Sequence, residues 1–122
     1  MSARLVTIVI DVRDPVAMAE FWMDVLGWQC LDTEDDGAIA IGPPENASSV
    51  TLLFEPVPET KTMKNRVHLD LRAVACEQDD ELGRLLALGA ERVDIGQGDQ
   101  TWVVLADPEG NEFCLLRTPA EP

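Results

Sequence analysis

Positive charge is what this sequence has least of. Its 122 residues hold nine lysines and arginines against 23 aspartates and glutamates, a formal net charge of −14. Such a chain repels phosphates, which excludes nucleic acid as a partner. The acidity is either a solubility device, the commoner case, or an attraction for a cationic ligand. Cysteine is scarce as well. Cys30, Cys76 and Cys114 are odd in number and form no CxxC, so they read as free thiols in a reducing compartment. Long hydrophobic runs are missing. The apolar stretch Leu5 to Ile10 follows a single Arg4 and ends at Asp11, too short for a signal peptide and lacking a small-residue cleavage site. Nothing approaches a membrane span, so a cytoplasmic chain with no membrane partner is expected. Tyrosine is absent, and His68 is the single histidine. A chain of this length makes one domain's worth of core.

What is present is a strand-like alternation around that histidine. In Asn65 to Arg72, Val67, Leu69 and Leu71 point one way, and Arg66, His68, Asp70 and Arg72 the other. An open face of that kind is an ordinary solvated strand; a face lining a cavity is a functional surface.

Taken in order, Arg4 to Arg13 reads as a strand. Asp14-Pro15 caps a helix running to about Leu26, with Ala19, Trp22, Met23 and Leu26 as its stripe and Met18 and Phe21 beside it, and Gly27 stops it. Strands follow at Trp28 to Thr33, Ala38 to Ile41 and Ser49 to Glu55, with a loop from Gly42 to Asn46. After a polar connector the order recurs. Strand Arg66 to Ala73 precedes a helix from Asp79 to about Leu88 with Leu82, Leu85 and Leu86 as its stripe and Gly89 as its stop. Strands Arg92 to Ile95, Thr101 to Ala106 and Glu112 to Arg117 complete it, the last two joined by the turn Asp107-Pro108-Glu109-Gly110-Asn111. The boundaries are about 4–55 for module one, 56–64 for the connector, about 65–117 for module two and 118–122 for a loose tail.

The repeat is the most informative feature. Leu26-Gly27 corresponds to Leu88-Gly89, and sliding one half by about sixty residues lays Thr7 to Val12 over His68 to Ala73. The apolar faces then coincide. Each half has one helix for one sheet face, so the opposite faces must bury against each other or enclose a cleft, with Thr7 and His68 facing across it.

Two βαβββ modules with these signatures resemble the vicinal-oxygen-chelate superfamily, the group of glyoxalase I, bleomycin-resistance proteins and extradiol dioxygenases. The resemblance is carried by Asp14-Pro15, Phe21-Trp22 and Val25-Leu26-Gly27 in module one. In module two it is carried by His68-Leu69-Asp70-Leu71 and Asp107 to Leu116. It implies an α+β fold: two tandem modules forming curved mixed sheets around a cleft, helices on the outer face, closest to metal-free glyoxalase-like domain proteins. Metal-holding members place ligands on the first and last strand of each module. Carried over, these fall on His68, which matches, and on Thr7 and Cys114, which depart. The fourth falls among Thr51, Leu52 and Leu53, none of them a good ligand. Zinc or iron wants three or four converging donors, and one histidine with a distant thiol falls short, so no metal or other cofactor is expected.

Without a metal, His68 and Asp70 are the candidate catalytic pair. Lying two apart on one strand face, roughly 6–7 Å at the backbone, they suit a general acid held by a carboxylate. A histidine packed in a partly polar cavity is an equal alternative. Arg66 and Arg72 are positioned to bind a substrate carboxylate or phosphate, or else pair with neighbours such as Asp11 or Glu112. Glu112 shares a face with Cys114, which reads as a structural cysteine for want of a base on its strand. Trp28 and Trp102 lie on strands where an indole could stack on a ligand. Lys61, Lys64 and Arg66 form the only basic cluster, expected in a solvated loop.

The leading expectation is a glyoxalase-like protein binding a small organic molecule, with metal-independent lyase or isomerase activity. The alternative is a bleomycin-resistance-like protein sequestering a cationic drug, which the acidity and three tryptophans fit. A metal-dependent lyase or dioxygenase ranks third. A homodimer is expected, because sheet edges and apolar cleft surface need cover.

Overall fold

The computed structural model describes residues 1–45 and 50–121. They fall into two compact units, Met1–Thr60 and Lys61–Pro122. In the first, the order is β1 (Thr7–Val12), α1 (Pro15–Leu26), β2 (Gln29–Thr33), β3 (Ile39–Gly42) and β4 (Thr51–Pro56). The sheet runs β1-β4-β3-β2, with β1 parallel to β4 and the other pairs antiparallel. The second unit repeats this as β5 (Leu69–Leu71), α2 (Gln78–Leu88), β6 (Glu91–Arg92), β7 (Val103–Ala106) and β8 (Glu112–Leu115), in the order β5-β8-β7-β6. The chain is thus α+β, two mixed four-stranded sheets each with one helix, as the repeat predicts. Among the described residues, no helix is long and apolar enough to cross a membrane.

Helix α1 begins where Asp14 accepts from the Ala17 amide at 3.1 Å and Pro15 takes the first turn. It ends at Gly27, whose left-handed φ of 67° suits glycine. Its buried face is Met18, Ala19, Phe21, Trp22 and Val25, packed on β3 and β4 against Ile39, Ile41, Leu52 and Phe54. Met23 and Leu26, expected in the stripe, are half-buried at its margin. Trp22 and Phe54 are fully enclosed, each stabilising the unit by about 1.5–3 kcal/mol. Helix α2 has no side-chain cap, but Asp79, Asp80 and Glu81 in its first turn complement the positive end of the helix. It buries Leu85 completely; Leu82 is half-buried and Leu86 exposed, a thinner stripe than the spacing predicts. Gln78 compensates, donating through Nε2 to the Thr101 carbonyl at 2.9 Å and the Leu115 carbonyl at 3.1 Å.

Several expected boundaries shift, each for a local reason. The strand expected over Arg66 to Ala73 pairs at Leu69–Leu71 alone. Upstream, the Asn65 amide donates to a Glu112 carboxylate oxygen at 2.7 Å rather than to a ladder carbonyl, and Val67 is left 73% exposed. The tail is held as far as Ala120: the Ala120 amide donates to the Ala73 carbonyl and Arg72 to the Thr118 carbonyl, both at 2.8 Å. Strand β6 stops after two residues, where Gln97 and Asp94 side chains accept from the Ile95 and Gly96 amides. Trp28 and Trp102 lie just before β2 and β7, not within them. The expected loop end at Asn46, strand start at Ser49 and last tail residue, Pro122, lie outside the described residues.

Candidate functional site

The turn Asp107 to Asn111 sets the site up. Asp107, 4% exposed, accepts from the Glu109 and Asn111 amides at 3.0 and 2.9 Å and from the Asn111 side chain. Gly110, with φ of 91°, closes the turn by donating to the Asp107 carbonyl at 2.8 Å. This fixes the register of β8, so Glu112 and Cys114 share one face by strand alternation. In the parallel ladder Asp70 is the partner of Cys114, and His68, two residues back, shares the Asp70 side.

The result is a compact triad. His68 Nε2 lies 3.2 Å from Asp70 Oδ1, with both side chains about half exposed, at 42% and 50%. One ligand atom each from His68, Asp70 and Cys114 lies within 4.8 Å of the others. Cys114 is buried beneath the two exposed partners. Burial pushes its thiol up, the Asp70 carboxylate accepting its hydrogen bond adds to that, and the Lys64 charge opposes it weakly. Cys114 is therefore a thiol at neutral pH, not a ready nucleophile. The expectation of a thiol distant from His68 is corrected here: parallel pairing puts the two strands side by side.

Glu112 does not pair with either arginine. Its carboxylate takes the Lys61 ammonium at 2.6 Å and the Asn65 amide at 2.7 Å, and Asn65 Nδ2 donates to Asn111 at 3.1 Å. Burial opposes ionisation of Glu112, but Lys61 and the Asn65 amide outweigh it and hold the group below its ordinary value. Lys61, expected in a solvated loop, is instead a largely buried strut with its side chain 19% exposed. Arg72 is spent on Thr118, whereas Arg66 is exposed on the bend leading to His68. Trp102 is 38% exposed.

In the first unit, Thr7 Oγ1 and Thr51 Oγ1 hydrogen-bond to each other at 3.0 Å across the β1–β4 pair. Trp28 is half-buried after α1, its amide donating to the Met23 carbonyl. Sequence reasoning missed a second group, Glu34, Asp36 and Glu55, whose carboxylates lie within 4.8 Å of one another. The hydrogen bond that the Glu55 carboxyl donates to Asp36, then desolvation and the charges of Asp36, Glu34 and Asp11, push Glu55 up to about 7. Sharing that proton with Glu55, and accepting from the Ala38 amide, holds Asp36 below its ordinary value. The acidic turn Glu34 to Asp36 is visible in the sequence, but that it meets Glu55 depends on how the strands pair.

The glyoxalase-like domain family profile matches residues 7–116. The chain belongs to this family, and with it to the vicinal-oxygen-chelate superfamily. Similar solved structures include a glyoxalase/bleomycin resistance protein/dioxygenase family enzyme from Burkholderia phytofirmans PsJN. It is 21% identical, with TM-score 0.67 over 93% of this chain and 97% of that one. Another is a variant of the fosfomycin resistance protein FosX from Listeria monocytogenes, complexed with Mn(II) and 1S,2S-dihydroxypropylphosphonic acid. It is 14% identical, with TM-score 0.70 over 98% and 92%. A third is the oxidase ChaP-H2, 19% identical, with TM-score 0.64 over 98% and 96%. At these identities the likeness shows the fold. No curated protein matches the chain.

The Mn(II)-type site that some relatives hold does not fit the residues here. On the family resemblance the first-unit ligand positions fall on Thr7 and the stretch Thr51 to Leu53, and the Thr7 and Thr51 hydroxyls are engaged with each other. In the second unit a thiol stands where a carboxylate is the usual donor. Manganese prefers oxygen donors in octahedral number, which this set lacks.

Proposed function

We propose that this chain binds a small anionic or carbonyl compound on the His68 face of its second module. There it acts as a lyase or isomerase through proton transfer at His68. The observation that supports this is the 3.2 Å contact between His68 Nε2 and Asp70 Oδ1, with both groups open to solvent. Asp70 orients the ring, so the imidazole can give or take a proton at a bound substrate. Arg66 nearby supplies a guanidinium for an anionic substituent. The phosphonate in the FosX complex is a ligand of that chemical kind on a similar fold.

The test is calorimetric titration of small carboxylates, phosphonates and α-keto compounds into the wild type and His68→Ala. Local contacts should give mild salt dependence, and His68→Ala should weaken binding by about 1–3 kcal/mol. The net charge of −14 supports a second reading, sequestration of a cationic drug. That reading predicts affinity that collapses with salt, as the Debye length falls to about 3 Å at 1 M, and quenched tryptophan emission through Trp28 or Trp102. Tight, salt-sensitive binding of a bleomycin-like cation that survives His68→Ala would replace the first reading with the second.

A further inference from the structure

We infer that Glu112 is the positioning residue of the His68 site: it holds the segment Asn65 to His68 off the ladder and so fixes where Arg66 and His68 stand. Glu112 opens β8, one step before Phe113, the partner of Leu69. Continued back by that step, the parallel register would set His68 beside Glu112. The ladder stops short of it. Glu112 Oε1 accepts from the Asn65 backbone amide at 2.7 Å, so the amide three residues before His68 is tied to a side chain. The Asn65 side chain is tied as well, Nδ2 donating to Asn111 Oδ1 at 3.1 Å. From there the chain bends outward at Arg66 and Val67, both exposed. With Asn65 anchored behind and Leu69 paired ahead, the three residues Arg66 to His68 span a fixed gap.

The grip is itself braced. Glu112 Oε2 takes the Lys61 ammonium at 2.6 Å, and the two side chains are only 10% and 19% exposed. The Lys61 chain lies over the neighbouring turn, its Cδ 4.0 Å from where a Cβ on Gly110 would stand. Asn111, which holds Asn65, is held in turn by Asp107. Hydrogen bonds to an ionised acceptor at these lengths are strong, and a carboxylate with both oxygens engaged is not free to swing toward the imidazole. His68 is left to Asp70, the carboxylate 3.2 Å from its ring. Arg66 makes no ion pair among the described residues, so its guanidinium stays open to an anionic ligand.

This deepens the reading of the His68 face as a ligand site and rests on it, but its test needs no ligand. His68 is the single histidine, so its imidazole gives isolated NMR signals in the full chain without a histidine tag. Asp70→Asn should shift those ring signals, because it changes the carboxylate against the ring. Glu112→Ala should shift them too, and the double variant should fall short of the sum, since both act on one contact. The Asn65 amide should exchange with solvent about tenfold faster in Glu112→Ala. Glu112→Gln, which keeps an acceptor for that amide, should restore most of the wild-type ring signals. Glu112→Asp, which keeps the charge but falls short of the amide, should not, and it carries the test if Glu112→Ala does not fold. A role in general stability alone leaves the ring of the folded protein unmoved. Unmoved ring signals in folded Glu112→Ala or Glu112→Asp, additive shifts in the double variant, or rescue by Glu112→Asp instead of Glu112→Gln overturns the inference. Titration of methylphosphonate into the wild type reports separately on the ligand reading, so either can fail alone.

Discussion

Asp107 does more for the second unit than one carboxylate on a turn ordinarily does. It is buried, it accepts from two backbone amides and an asparagine side chain, and it fixes the residue at which β8 begins. Hydrogen bonds to a charged acceptor contribute about 1.5–3 kcal/mol each, though not additively. Asp107→Ala should therefore destabilise the protein by about 2–4 kcal/mol in urea unfolding. It should also loosen the triad, because Cys114 would no longer be held opposite Asp70; a loss under about 0.5 kcal/mol would refute this role. At this scale the sequence was legible in part. Asp107 to Asn111 announced a turn, and alternation put His68 and Asp70 on one face. The Lys61–Glu112 pair and the Asp70–Cys114 contact were not legible, because each joins residues more than forty apart in the chain.

At the scale of elements, the hairpin between β2 and β3 and the end of β4 bring Glu34, Asp36 and Glu55 together. Unfolded, Glu55 ionises near 4.5; folded, near 7. Between those values the folded chain binds more protons than the unfolded one, so this group's contribution is full below about 4.5 and is lost as pH rises through about 7. The lowered Asp36 acts oppositely, its contribution lost as pH falls through its own depressed value. Stability should thus decline from pH 4.5 to 7, and Glu55→Gln should flatten that decline. Urea midpoints across this range check it; an unchanged slope in Glu55→Gln would show that the carboxyl pair does not set the pH response. The elements themselves were well marked. Asp14-Pro15 and Gly27 bound α1 because caps act within one turn of chain. Strand β5 shrank to three residues because Glu112, from another strand, captured the Asn65 amide.

At the scale of the whole molecule, each sheet has two edge strands, β1 and β2 in the first and β5 and β6 in the second. Leu5, Val6 and Val9 at the β1 edge are 54–65% exposed, and all of β2 is exposed. Unpaired edges beside apolar side chains favour association. We expect a homodimer in sedimentation at micromolar concentration, dissociated by Val9→Lys; a monomer under those conditions would refute it.

The sequence by itself determined the tandem βαβββ order, the helix limits and the faces of the strands. Those follow from caps, turns and period-two alternation, which are local. The tertiary structure alone decided that His68, Asp70 and Cys114 form one group, that Glu112 belongs to Lys61, and that Glu55 holds a proton beside Asp36. Each of these depends on which strand lies beside which and in what register, and strand neighbours are set by the packing of the whole sheet.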